Sequence, residues 1–237
     1  MKSVASLMVT SQLFLIVLTT FLSLYGLFWL LGWRHNRRRR RAFLIALNDS
    51  TGSTVTPQSG PDARGFVAIF EPPPTPYAYL AVIFRPSPPQ TYWLRPLLLQ
   101  SDRLRLRGIL AEALRNELIW TRGRVPDRAA GHGPRSQLWQ RKIHHTTNVE
   151  FELRGPNSGA LENGFRALNM RFGPLLQRVN LVGDAAIERR LRNLQRLDAQ
   201  KAAVELEIEL TAAKLPTEEV SALVAQARAL GRAALLG

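Results

Sequence analysis

The apolar residues of this chain come first as one long block and then as short runs. No charged residue stands between Ser3 and Trp33, and Leu13–Trp33 is dense in Leu, Phe, Ile and Val. About twenty such residues cross the hydrocarbon core of a bilayer at roughly 1.5 Å each. Residues 8–33 are therefore predicted to be a transmembrane helix, with residues 1–7 as a short extracytoplasmic tail. Tyr25, Trp29 and Trp33 share one helix face, and Trp29 and Trp33 fall where interfacial rings are expected. A cleaved signal peptide fits less well, because the stretch is too long and no Ala-x-Ala precedes the charges that follow.

Residues 34–47 form a basic juxtamembrane segment. Arg34, Arg37, Arg38, Arg39, Arg40 and Arg41 crowd together here, and Ala42–Leu47 either lies in the interface or extends the helix. Asn48–Arg64 is rich in Ser, Thr, Gly and Pro without an apolar period and reads as a flexible linker, residues 48–64. Gly65–Glu71 reads as a strand, closed by the prolines at 72–74 and 76. Tyr77–Phe84 is apolar on both alternating faces, which predicts a strand that is central or covered on both sides. Thr91–Leu94 is a further candidate strand. The prolines between these runs read as rigid turns.

Arg103–Trp120 presents Leu106, Ile109, Leu110, Ala113, Leu114 and Leu118 at helical spacing, with Asp102 as its cap. Gly108 weakens that helix. Asn148–Leu153 alternates as a half-exposed strand, and Ala160–Phe172 as an amphipathic helix with Leu161, Phe165, Leu168 and Phe172 on one face. Asp184–Ala213 reads as a long helix with an imperfect heptad seam. After a turn at 215–217, a last helix carries Val220, Leu223, Val224, Ala227 and Leu230. The whole is an α+β reading: a single N-terminal transmembrane helix, a small basic α+β domain at 65–183, and a coiled-coil-like αα-hairpin at 184–237.

Charge sharpens this layout. The chain has 32 basic and 18 acidic residues, for a net +14. Residues 1–41 hold +7, residues 42–183 another +7, and the hairpin region none. Arg outnumbers Lys 28 to 4, which a GC-rich genome alone can produce. Arginines follow the apolar block and only Lys2 precedes it, so the positive-inside rule places the N-terminus outside and the bulk of the chain in the cytoplasm. A bacterial plasma membrane is the expected location. Trp29, Trp33 and the six arginines are the expected interface, each arginine near an anionic surface being worth about 1 kcal/mol.

The chain has no cysteine, which excludes disulfides, thiol nucleophiles and cysteine-ligated metals. No phosphate-binding loop, dinucleotide fingerprint, nucleophile elbow or His-Glu-x-x-His helix occurs. His144 and His145 with Glu150 and Glu152 read as strand-end side chains rather than a metal set, because strand neighbours point apart. Ser136, His144 and Asp127 have no supporting motif as a triad. Arg122, Arg124, Arg128, Arg135, Arg141 and Lys142, with Trp120 and Trp139 nearby, form a basic stretch that suits a phosphate-bearing partner. No known RNA- or DNA-binding motif accompanies it. The expectation is a non-enzymatic membrane scaffold or assembly protein, without a cofactor, that meets a protein partner or its own copy through residues 184–237. The alternatives are a tethered module for anionic lipid or nucleic acid, and an enzyme with an unrecognised site.

Overall fold

The computed structural model describes residues 2–51, 54–58, 65–89, 102–123, 140–144, 149–183 and 204–236. The chain is a mixture of helix and antiparallel sheet. Helix α1 (Lys2–Thr51) has 50 residues and, at the standard rise, is roughly 75 Å long. Its most apolar 18-residue window reaches a mean hydropathy of 2.2, with none of that window buried inside the protein. By length and composition the helix is able to cross a membrane. It then runs on through the arginines without a break, so Ala42–Leu47 extends the helix.

Among the described residues, nine strands form one sheet: β1 (Thr54–Gln58), β2 (Phe66–Glu71), β3 (Tyr77–Arg85), β4 (Arg103–Leu110), β5 (Glu117–Thr121), β6 (Gln140–His144), β7 (Val149–Arg154), β8 (Leu176–Leu181) and β9 (Leu206–Thr211). Their order across the sheet is β1-β2-β3-β4-β9-β8-β5-β7-β6, and every neighbouring pair is antiparallel. Helices α2 (Ser158–Phe172) and α3 (Glu219–Leu235) are the other helices among the described residues.

One face of the sheet is covered by helices. Leu80, Val82, Leu104, Leu106, Leu118, Phe151, Val179, Ile208 and Leu210 face Phe165 and Leu168 of α2, Leu223 and Ala227 of α3, and Phe43 and Leu47 of α1 in one continuous core. α3 lies between the other two helices, touching both. A smaller cluster of Val67, Tyr79, Ala81, Ile83 and Ile109 forms on the opposite face. Strand β3 is thus buried on both faces, as its apolar pattern predicted.

Several sequence expectations are corrected. Arg103–Trp120 is two strands, not a helix: β4 and β5 are joined by residues 111–116. Their pairing partners, β3 and β9 for β4 and β7 and β8 for β5, outweigh the local helical spacing. Within the region read as a long helix, Leu206–Thr211 is strand β9 at the centre of the sheet, while residues 184–203 lie outside the described residues. The arm that would pair with α3 is therefore a strand over its described part, and α3 is seated on the sheet instead of forming a hairpin with a helix. Thr54–Gln58, read as part of a linker, is an edge strand paired to β2. The candidate strand at Thr91–Leu94 lies outside the described residues.

Two glycines explain how α3 is fastened. A β-bulge between Tyr77 and Tyr79 turns Tyr77 toward the helices. Its hydroxyl donates to the carbonyl of Ala227 in α3, and burial raises its pKa well above the ordinary tyrosine value. A Cβ at Gly231 would lie 2.7 Å from the Tyr77 hydroxyl oxygen, and one at Gly108 would lie 2.9 Å from the ring. Gly108, a liability in a helix, is here the floor of the tyrosine's socket.

Candidate membrane interface

The interface is built from α1, because only its middle turns meet both the apolar span and the domain. At 100° per residue, Asn36, Arg39, Phe43 and Leu47 fall on one side. Phe43 and Leu47 are fully buried, and Phe43 packs edge-on against Phe84 of β3 with ring centroids 5.0 Å apart. Asn36 is buried and donates to the carbonyl of Ser87 at 3.0 Å. Arg39 is the centre of the contact. It donates to Asp102 at 2.6 Å and to the carbonyl of Ala212, and its guanidinium lies 5.2 Å from the centre of the Phe43 ring. Asp102 is 1% exposed and also accepts the Ser87 backbone N–H at 2.8 Å. Three sheet ends are thereby tied to one helix turn: the exit of β3, the entry of β4 and the exit of β9.

The opposite side of the same turns carries Arg34, Arg37, Arg38, Arg41 and the exposed Ile45. The Arg37 guanidinium lies 5.2 Å from the Trp33 ring centre, a cation–π distance. Trp33, Arg34, Arg37, Arg38 and Arg41 line a groove of about 260 Å³. Among the described residues, no carboxylate pairs with these four arginines. Arg40 sits at the flank, half-buried. Trp29 is on the exposed span below, 45% accessible. The arginine block thus divides by helix geometry into one latch, one flank and four outward charges. The sequence treated the six as equivalent; the 3.6-residue period was the available signal that they are not.

Of the second predicted cluster, Arg122, Arg141 and Lys142 fall among the described residues. Arg122 is exposed but bonded to the backbone, with its Nε donating to the carbonyl of Leu176 at 2.8 Å and its terminal nitrogen to that of Gly173. It closes the carbonyls around the end of α2. Arg141 pairs with Glu150 on the adjacent strand. Lys142 is half-buried on edge strand β6. Arg124, Arg128 and Arg135 lie outside the described residues, as do His145, Ser136 and Asp127.

On the sheet face away from the helices, the charges answer one another. Glu209 of β9 takes Arg105 at 3.2 Å and Arg103 at 3.3 Å, both from β4. Glu207 takes Arg178 of β8 at 3.9 Å, and Glu117 of β5 takes Arg154 of β7. Four arginines of the middle domain, Arg103, Arg105, Arg154 and Arg178, therefore have carboxylate partners on neighbouring strands, and the sequence carries part of this as Arg-Leu-Arg-Leu-Arg at 103–107 and Glu-Leu-Glu-Ile-Glu at 205–209.

Compared with known protein families, with curated proteins and with solved structures, the chain matches none.

Proposed function

We propose that the chain is a single-pass membrane protein without catalysis of its own, a scaffold that holds its α+β domain at the cytoplasmic surface for a protein partner. The observation that supports this most is the continuity of α1. One helix supplies the apolar span and then, two turns later, the buried face that Phe43, Leu47 and Arg39 press onto the sheet. Span and domain share one rigid element, so a partner would be met at a fixed height and rotation above the bilayer. The orientation rests on the arginines that follow the span.

Because β9 and α3 are seated in the sheet and its helical layer, recruitment under this proposal falls to the domain rather than to a free helical hairpin. The surface left for a partner is that of the domain, including edge strand β6 with its exposed Ile143 and the exposed Met170 of α2. Nucleic-acid binding through the basic stretch draws no support from Arg122 and Arg141, which are spent internally.

The test is alkaline extraction of membranes followed by photo-cross-linking from positions 143 and 170. The proposal expects the chain to stay in the pellet and a discrete protein adduct to form at one of these positions. Release into the supernatant, or only diffuse lipid adducts at both, would refute it.

A further inference from the structure

We infer that the outward side of α1 is a binding site for the phosphate headgroup of an anionic phospholipid, held by Arg34, Arg37, Arg38 and Arg41 beside Trp33. The inference rests on α1 being a membrane span, as proposed above. Orientation alone needs only net charge near the end of a span. It does not require the charges to converge on one side of the helix, to lack carboxylate partners, or to border a groove.

Here all three hold among the described residues. Arg34, Arg38 and Arg41 succeed one another at i, i+4 and i+7, and Arg37 is held at the groove by the Trp33 ring. Guanidinium groups suit phosphate oxygens because their planar fork donates two hydrogen bonds at once. The groove, at about 260 Å³, is slightly smaller than the roughly 300 Å³ at which clefts for whole small molecules begin, which fits a headgroup rather than a larger ligand.

A lipid is favoured over a soluble phosphate by what lies directly below. Leu27, Leu30 and Leu31 are on the same side of α1, one to two turns toward the apolar end, and are 50%, 45% and 42% exposed. Acyl chains would run along them while the phosphate sits among the arginines. Arg39, facing the domain and already bonded to Asp102 and Ala212, takes no part.

The experiment uses the full chain in nanodiscs of mixed phosphatidylglycerol and phosphatidylcholine. After release into a neutral detergent, native mass spectrometry counts the lipids retained. The wild type should keep phosphatidylglycerol in preference to phosphatidylcholine. Arg38→Gln/Arg41→Gln leaves four of the juxtamembrane arginines for orientation and should lower that retention about five-fold per residue, given about 1 kcal/mol for each. Ile45→Gln, on the same side beyond the groove, should leave it unchanged. Added inorganic phosphate or glycerol phosphate at millimolar level should not displace the lipid. Equal retention of the two lipids, an unaltered preference in the double variant, or ready displacement by inorganic phosphate would each overturn the inference. A chain that never enters the nanodisc would instead refute the span itself.

Discussion

Arg39→Gln should destabilise the protein far more than Arg38→Gln, although the two residues are adjacent and identical. Arg39 loses an ion pair to a carboxylate that is 1% exposed, a hydrogen bond to Ala212 and its position over Phe43. Breaking a buried pair costs about 3–5 kcal/mol. Two features lower that figure: the Arg39 side chain is 17% exposed, and Asp102 keeps the Ser87 N–H. A loss of about 2–4 kcal/mol is the working value, a large share of the roughly 5–15 kcal/mol that holds a typical domain together. Arg38 meets no carboxylate among the described residues, so its change should stay within about 0.5 kcal/mol. For a chain of this size the first loss corresponds to a melting temperature lower by roughly 5–15 °C, readable by thermal unfolding of the full chain in neutral detergent. Asp102→Asn in the Arg39→Gln background should add much less than it does alone, since the two side chains act as one pair. Equal shifts for Arg38→Gln and Arg39→Gln, or strict additivity of the pair, would refute the assignment of Arg39 as the latch.

Other consequences concern the seating of α3. Gly231→Ala, which sets a methyl against the Tyr77 hydroxyl, should cost about 1–3 kcal/mol by overpacking. Tyr77→Phe should cost about 1 kcal/mol by removing one buried hydrogen bond to the Ala227 carbonyl; both are measured by denaturant unfolding. Asn116 is fully buried and donates to the carbonyls of Ala233 and Leu236 at the end of α3 while accepting the Asn157 N–H at 2.9 Å. Asn116→Ala should cost about 2–3 kcal/mol and accelerate amide exchange first in the last turn of α3. The exposed Arg171–Glu219 pair holds the Glu219 carboxyl below the ordinary glutamate range, first by the hydrogen bond and then by charge. Because the folded value is the lower one, the stabilisation is present at neutral pH and disappears as pH falls through the Glu219 titration. An NMR titration should place Glu219 below other exposed glutamates, and Arg171→Gln should return it to their range.

The parts of the fold that were legible in the sequence are those whose burial is local. The long apolar helix is a composition signal. β2, β3, β7, α2 and α3 each announce themselves through apolar residues on one or both faces of a short element. β4 and β9 were misread because Leu106, Ile109 and Leu110 also satisfy a helical stripe, and because a long run of Arg, Leu and Ala around 184–203 favours helix by propensity. The deciding information was non-local. Arg105 stands opposite Glu209, and Arg107 opposite Glu207, so two alternating segments separated by about a hundred residues complement one another in sign. Only when they are laid side by side does period two win over period 3.6. Thr54–Gln58 was hidden for a related reason: an edge strand with few apolar side chains is defined by the strand it joins. At the interface the sequence located every arginine but could not separate Arg39 from its neighbours without a partner for it, and Asp102 was occupied in that reading as a helix cap.

The central claim is that one continuous helix carries the span and fixes the domain to it. Because the chain lacks cysteine, spin labels can be placed at will, and Ile45→Cys with Arg178→Cys puts one on the outward side of α1 and one on the far face of the sheet. Double electron–electron resonance of this pair in nanodiscs should give a single narrow distance distribution, which Arg39→Gln broadens. A broad distribution in the otherwise unaltered chain would mean that anchor and domain move independently and would contradict the account.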